Sequence, residues 1–240
     1  MHPAAIAFRD PAALHARAEI AGVRRLTLAP GYETTVVVPD GAWARLPDGH
    51  PERFAPTAFT RDSGLVELFR VPRTVADLDS LAAFVPTLGD PTPVTLGGAD
   101  DPGGLAVTHV SAESGLRPGL HVDNHQNLPY AAREKARRRL CVNLGPGSRY
   151  LLLADTDIKS VCRTVHERYE SHHPRTADLR LYVTLRRPVH VLRLRIDPGE
   201  GWLAPTAVLP YDESTEGQEL PSVTGSWLGH WGRGVCGALI

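Results

Sequence analysis

Lysine is almost absent from this 240-residue chain: Lys135 and Lys159 are the only two, and arginine supplies the rest of its 26 basic side chains. Against 27 acidic residues they leave a net charge of −1. There is no basic surplus to follow a phosphate backbone outside the short cluster at 133–139, so nucleic acid is excluded as the expected partner. Cysteine is scarce as well. Cys141, Cys162 and Cys236 are odd in number, far apart and without a Cys-x-x-Cys pair, which excludes a disulfide scaffold or zinc ribbon and reads as three isolated reduced thiols. No apolar run reaches membrane-spanning length and no charged-then-apolar leader opens the chain, so the expectation is a soluble, cytoplasmic protein without a membrane partner. A Gly-x-Gly-x-x-Gly turn after a strand, a phosphate-binding Gly-x4-Gly-Lys loop and a Gly-x-Ser-x-Gly elbow are all missing, which removes the commonest nucleotide and serine-hydrolase readings.

Glycine (22 residues) and proline (21) are plentiful, and with arginine replacing lysine they match the codon bias of a GC-rich bacterial genome. Apolar residues at 42% and charged residues at 22% are those of a globular chain, and the length suits a single domain over 1–240. Asp10-Pro11 followed by Leu14, Ala18 and Ile20 predicts a capped N-terminal helix. Strands are predicted at 36–38 and 65–71, a helix at 74–85, and a Gly/Pro-rich loop or lid at 89–104. From Leu105 the pattern turns to short strands: 105–110, 119–123, 139–144, 149–154, 179–185, 189–196 and 201–209, with one helix after Asp155 or Asp157 that places Ile158, Val161, Cys162, Val165 and Tyr169 on one face. The expected fold is mainly β with flanking helices: a double-stranded β-helix, or jelly roll, whose core is 105–231 and whose flank is 1–104.

The sharpest local feature is Gly119-Leu-His-Val-Asp-Asn-His125. In an extended strand His121 and Asp123 share a face about 6.6 Å apart, so an imidazole and a carboxylate point into whatever the sheet encloses. A third ligand from another strand would complete a facial triad with open positions for oxygen and substrate. His125 shares that face about 13 Å from His121 and is expected to line the pocket rather than join the metal. His109, on the preceding strand, is expected to line the cavity too. The arginines of 133–139 with Glu134 read as a solvated face, and His166, His172 and His173 as a polar connection, with a His-His pair able to take adventitious metal. Trp202, Trp227 and Trp231 read as core or barrel-mouth aromatics, Trp202 being assigned to the pocket.

With His-x-Asp at 121–123, middle strands at Arg139–Gly145 and Arg149–Leu152, and the run from Pro198-Gly199-Glu200 to Tyr211-Asp212, the chain resembles iron(II)/2-oxoglutarate-dependent oxygenases, small bacterial members in particular. The resemblance spans 105–231, about half the chain. It implies iron(II) on His121 and Asp123, 2-oxoglutarate as cosubstrate, and hydroxylation of a small amino-acid-like metabolite. Asp123 leaves no coordination position for a halide, which disfavours halogenation. Where the resemblance implies the second histidine, this sequence has Tyr211, whose phenol must lose a proton of pKa about 10 to bind iron well. Three accounts are open: Tyr211 ligates as phenolate, His190 supplies the nitrogen, or the iron has been lost. The cation that would grip the 2-oxoglutarate carboxylate is also missing from its implied place, where Asp212, Glu213, Glu216 and Glu219 follow Tyr211. Arg149 is the substitute, and the acids can instead hold a substrate ammonium. Two rival functions follow: an oxygenase that does not use 2-oxoglutarate, and a non-catalytic jelly-roll small-molecule-binding protein.

Overall fold

The computed structural model describes residues 4–239. Among the described residues thirteen strands form two sheets. β1 (Ala5–Ala7), β5 (Leu65–Arg70), β6 (Val94–Asp101), β8 (Arg138–Pro146), β11 (Glu200–Ala204) and β13 (Ser222–Gly229) make the first, in the order β1-β5-β11-β8-β13-β6. β2 (Ala18–Thr27), β3 (Tyr32–Pro39), β7 (Arg117–Gly119), β9 (Arg149–Ala154), β10 (His190–Ile196) and β12 (Tyr211–Ser214) make the second, ordered β12-β9-β10-β2-β3-β7, with β4 (Ala44–Arg45) beside β2. They are flanked by α1 (Pro11–Arg17), α2 (Leu78–Phe84), α3 (Ile158–Val165) and α4 (Thr176–Thr184). Among the described residues no helix is long and apolar enough to cross a membrane. The protein is therefore mainly β, with two sheets and a few helices.

Two-residue alternation builds three apolar layers. Leu151 and Leu153 of β9 point with Leu192 and Leu194 of β10 toward the first sheet, where Leu68, Cys141 and Trp202 meet them. Leu152, Ala154 and Val191 point the other way, onto Ile158, Val161 and Cys162 of α3 and Leu179 and Tyr182 of α4. On the outer face of the first sheet, Leu140, Val142, Leu203 and Trp227 cover Leu81 of α2. Strands buried on both faces read as continuous apolar runs, which is why 139–144 and 149–154 stand out in the sequence.

Several expectations need correction. Of the strand expected at 179–185, residues 179–184 lie in a helix, α4, and Leu185 caps it. Asp178 takes the backbone N–H of Arg175 at 2.7 Å, capping the first turn, and Leu179 and Tyr182, three apart, both face the core. The loop expected at 89–104 contains β6, a strand whose polar, glycine-bearing sequence hides it because it lies at the sheet edge with mostly exposed residues. The helix expected to include Ala18 and Ile20 stops at Arg17, and those two residues open β2. Residues 105–110 form no strand, although Thr108 N–H reaches the Glu213 carbonyl at 2.8 Å. The strand expected at 119–123 is reduced to the end of β7 and an isolated bridge at His121.

Candidate functional site: a histidine- and acid-lined cleft

His121 and Tyr211, distant in sequence, are locked together by backbone. His121 N–H donates to the Tyr211 carbonyl at 2.9 Å and Tyr211 N–H returns the bond at 2.8 Å. This bridge brings His121, Asp123, Asp212 and Tyr211 into one buried cluster beside a cleft of about 850 Å³, which His109, His125, Arg139 and Arg149 also line. The His121 ring lies 4.4 Å from that of His109, stacked, and 4.6 Å from that of Tyr211.

His121 Nδ1 lies 2.8 Å from the Gly119 carbonyl. A carbonyl only accepts, so Nδ1 carries the proton, and in the neutral ring Nε2 is the bare nitrogen. That Nε2 is buried and has no hydrogen-bond partner. Asp212 Oδ2, 3.7 Å from His121 Nδ1, is buried and unpartnered as well, while Oδ1 accepts from the backbone of His109 and Glu213 at 3.1 and 2.7 Å.

Asp123 is far more fully engaged. Arg139 grips it with Nε at 2.9 Å and Nη2 at 3.0 Å, Thr206 donates its hydroxyl at 2.6 Å, and the Tyr211 phenol donates at 3.1 Å. Burial alone would push the Asp123 carboxyl up, but the charge of Arg139 with bonds from His125 and Arg139 holds it well below the usual carboxylate range. Burial, reinforced by Asp123, Asp212 and Glu213, pushes the Tyr211 phenol well above its ordinary value against the pull of Arg139, so it stays a proton donor.

The cluster at 133–139 is not the solvated face expected of it. Arg133, Arg138 and Arg139 are buried. Arg133 donates to the Asp123 and Ala207 carbonyls, each at 2.7 Å, and Arg138 pairs with Glu67 at 2.7 Å. The signal for Arg139 was present in β8: it shares a face with Cys141, which points into the inter-sheet core.

The structure separates the other expected site residues. His190, first in β10, is 54% exposed and turns its Nδ1 to Asp155 Oδ2 at 3.0 Å, outside the cleft, so it is not positioned as a ligand beside His121. Trp202 belongs to the core rather than the pocket: it is fully buried, and its indole N–H donates to Glu213 at 3.1 Å. His125 sits half-exposed at the cleft rim, 3.6 Å from Asp123. Arg149 does line the cleft, but it is held at 3.2 Å by both Asp101 and Glu213 and at 3.0 Å by Thr108.

Burial, followed by the neighbouring His121, lowers the His109 pKa from 6.5 to about 4. Between those values the unfolded chain binds a proton that the folded chain does not. This contribution to stability is therefore intact above pH 6.5 and is lost as pH falls toward 4, by on the order of 3 kcal/mol in all. Urea unfolding across that window is expected to show the slope, and His109→Gln to flatten it. Asp123 loses its pairing only below the ordinary carboxylate range, so the two effects separate by pH.

Iron does not fit Asp123 as it stands. Both carboxylate oxygens already accept two hydrogen bonds, and a divalent cation would sit against a buried guanidinium. 2-Oxoglutarate meets a similar obstacle, because each arginine lining the cleft is already paired: Arg139 with Asp123, Arg149 with Asp101 and Glu213, Arg180 with Glu33. No protein-family model and no curated protein matches this chain.

Proposed function

We propose that this chain is a small-molecule-binding protein of jelly-roll type that takes an amine-bearing metabolite in its cleft, without iron or 2-oxoglutarate. The observation that carries this reading is the surplus of acid over cation. Glu33, Asp101, Glu113, Asp123 and Glu213 line the cleft against Arg139, Arg149 and Arg180. Arg149 is shared between two carboxylates, Asp101 and Glu213. Burial, only partly offset by Arg149 and aggravated by Glu213, pushes the Asp101 carboxyl above its usual value. A ligand ammonium beside Asp101 and Glu213 supplies the missing charge, and the hydroxyls of Thr108, Thr224 and Ser226 supply polar contacts.

Calorimetric titration with small primary amines, amino acids and dicarboxylates tests it. Amine binding is expected, weakened at least tenfold, or about 1.4 kcal/mol, by Asp101→Asn. Binding of 2-oxoglutarate in preference to every amine would overturn the reading.

A second reading, the iron(II) oxygenase with or without 2-oxoglutarate, is favoured by the bare, buried Nε2 of His121, with Asp123 and Tyr211 beside it. It requires Arg139 to release Asp123. Anaerobic iron(II) uptake that is lost in His121→Ala but kept in Cys162→Ser would move the conclusion to this reading.

A further inference from the structure

Outside the cleft, one helix–turn–helix stretch gathers four metal-ligating side chains. Cys162 lies in α3, His166 ends that helix one turn later, His172 follows a short 3-10 turn, and Asp178 stands in the first turn of α4. All of them converge on the Asp178 carboxylate. His166 Nε2 is 2.7 Å from Oδ1, His172 Nε2 is 3.1 and 3.0 Å from the two oxygens, and Cys162 Sγ is 3.4 Å from Oδ2. The two imidazoles are packed with ring centroids 4.0 Å apart. Ligand atoms of Cys162, His172 and Asp178 lie within 4.8 Å of one another.

We propose that Cys162, His172 and Asp178 hold a structural zinc ion, with His166, bonded to the same carboxylate, as the neighbour that can turn into the fourth position. In a tetrahedral zinc site with bonds of about 2.0–2.3 Å, ligand atoms stand about 3.4 Å apart. The Cys162–Asp178 separation already has that value and the His172–Asp178 separation is a few tenths of an ångström short, while His166 must leave Asp178 to reach the fourth position. Without metal, both Nε2 atoms have to carry protons to satisfy one carboxylate, and the thiol adds a third donor. A single cation replaces these donors: each ligating imidazole carries its one proton on Nδ1 instead of Nε2, and the Cys162 S–H proton leaves to solvent as the thiolate–zinc bond forms. Sulfur and nitrogen donors with one carboxylate select zinc over calcium or magnesium. Cys162 and Asp178 are buried, while the His166 and His172 side chains are each 29% exposed and leave a route in from solvent.

The site would act on the cleft through α4. Thr176 and Arg180 of that helix line the cleft, and the Thr176 hydroxyl accepts the N–H of Val122, between His121 and Asp123. Zinc tying α3 to α4 would fix that wall.

Cobalt(II) titration of the chelator-treated full chain provides the test. One equivalent is expected, with the visible bands of a tetrahedral site and a near-ultraviolet thiolate-to-cobalt charge-transfer band. Zinc should displace the cobalt and raise the thermal midpoint. Cys162→Ser is expected to remove the charge-transfer band, His172→Gln to weaken binding at least tenfold, and His121→Ala to leave both unchanged. A wild-type chain that is folded by circular dichroism and takes up no cobalt overturns the proposal. So does a thiolate band that survives Cys162→Ser, or stoichiometric binding that survives His172→Gln undiminished.

Discussion

Replacing Arg139 by alanine is expected to lower the unfolding free energy by about 3–5 kcal/mol, because it strands a carboxylate that the fold has removed from water. Asp123 would keep the Thr206 hydroxyl and the Tyr211 phenol but lose both guanidinium bonds and their charge. The cost comes from the partner left behind, so Asp123→Asn introduced into Arg139→Ala should recover part of it, and a double-mutant cycle in urea should show strong coupling. The remaining carboxyl should also take up a proton at higher pH. In the wild type its stabilisation is complete above the ordinary carboxylate range and fades as pH falls through its depressed folded value; in Arg139→Ala that fade should begin earlier. A loss under 1 kcal/mol with no coupling would mean that Asp123 is not held in this way.

Trp202→Ala is expected to cost a comparable amount, about 3–5 kcal/mol, by a different route. The indole fills the layer between the two sheets in one apolar cluster with Leu68, Leu151 and Leu194, and its ring lies 5.9 Å from that of Tyr211. Its N–H is also one of the donors on Glu213, so truncation leaves that carboxylate leaning on Arg149 and the Cys141 thiol. Chemical denaturation should show the loss, while the fraction that remains folded should bind cleft ligands within a few-fold of wild type. A variant as stable as wild type but with altered ligand preference would restore Trp202 to the pocket.

Arg139 and Trp202 show what could be read from the chain and what could not. Apolar runs announced β8 and β9, alternation announced β10, and Asp157 with the spaced Ile158, Val161 and Cys162 announced α3, because period and capping are local signals. β6 and β13 escaped, since one is a polar edge and the other carries glycines and serines whose burial depends on α2 lying above them. At the site, the proximity of His121 and Tyr211 followed from the family resemblance and not from spacing. The partners of Asp123 were not legible at all: Arg139 and Thr206 arrive from other strands and turns, and a string of arginines looks the same in sequence whether it meets water or a buried acid. His190 failed for the converse reason, since a histidine opening an apolar strand gives no hint that Asp155 waits outside the sheet.

The strand order of the first sheet bears on how the protein can be made. Among the described residues β6 has no partner in that sheet except β13, which inserts between it and β8. During translation β6 therefore emerges long before the only segment that can hold it, and through that interval one wall of the cleft is an open, unpaired edge. Pairings so far apart in sequence are slow to close and leave strand edges available to other nascent chains. The cleft is thus among the last features to form as the chain leaves the ribosome. Ribosome-bound fragments ending before residue 222 should be sensitive to protease between residues 94 and 101, and should lose that sensitivity once residue 229 has cleared the exit tunnel.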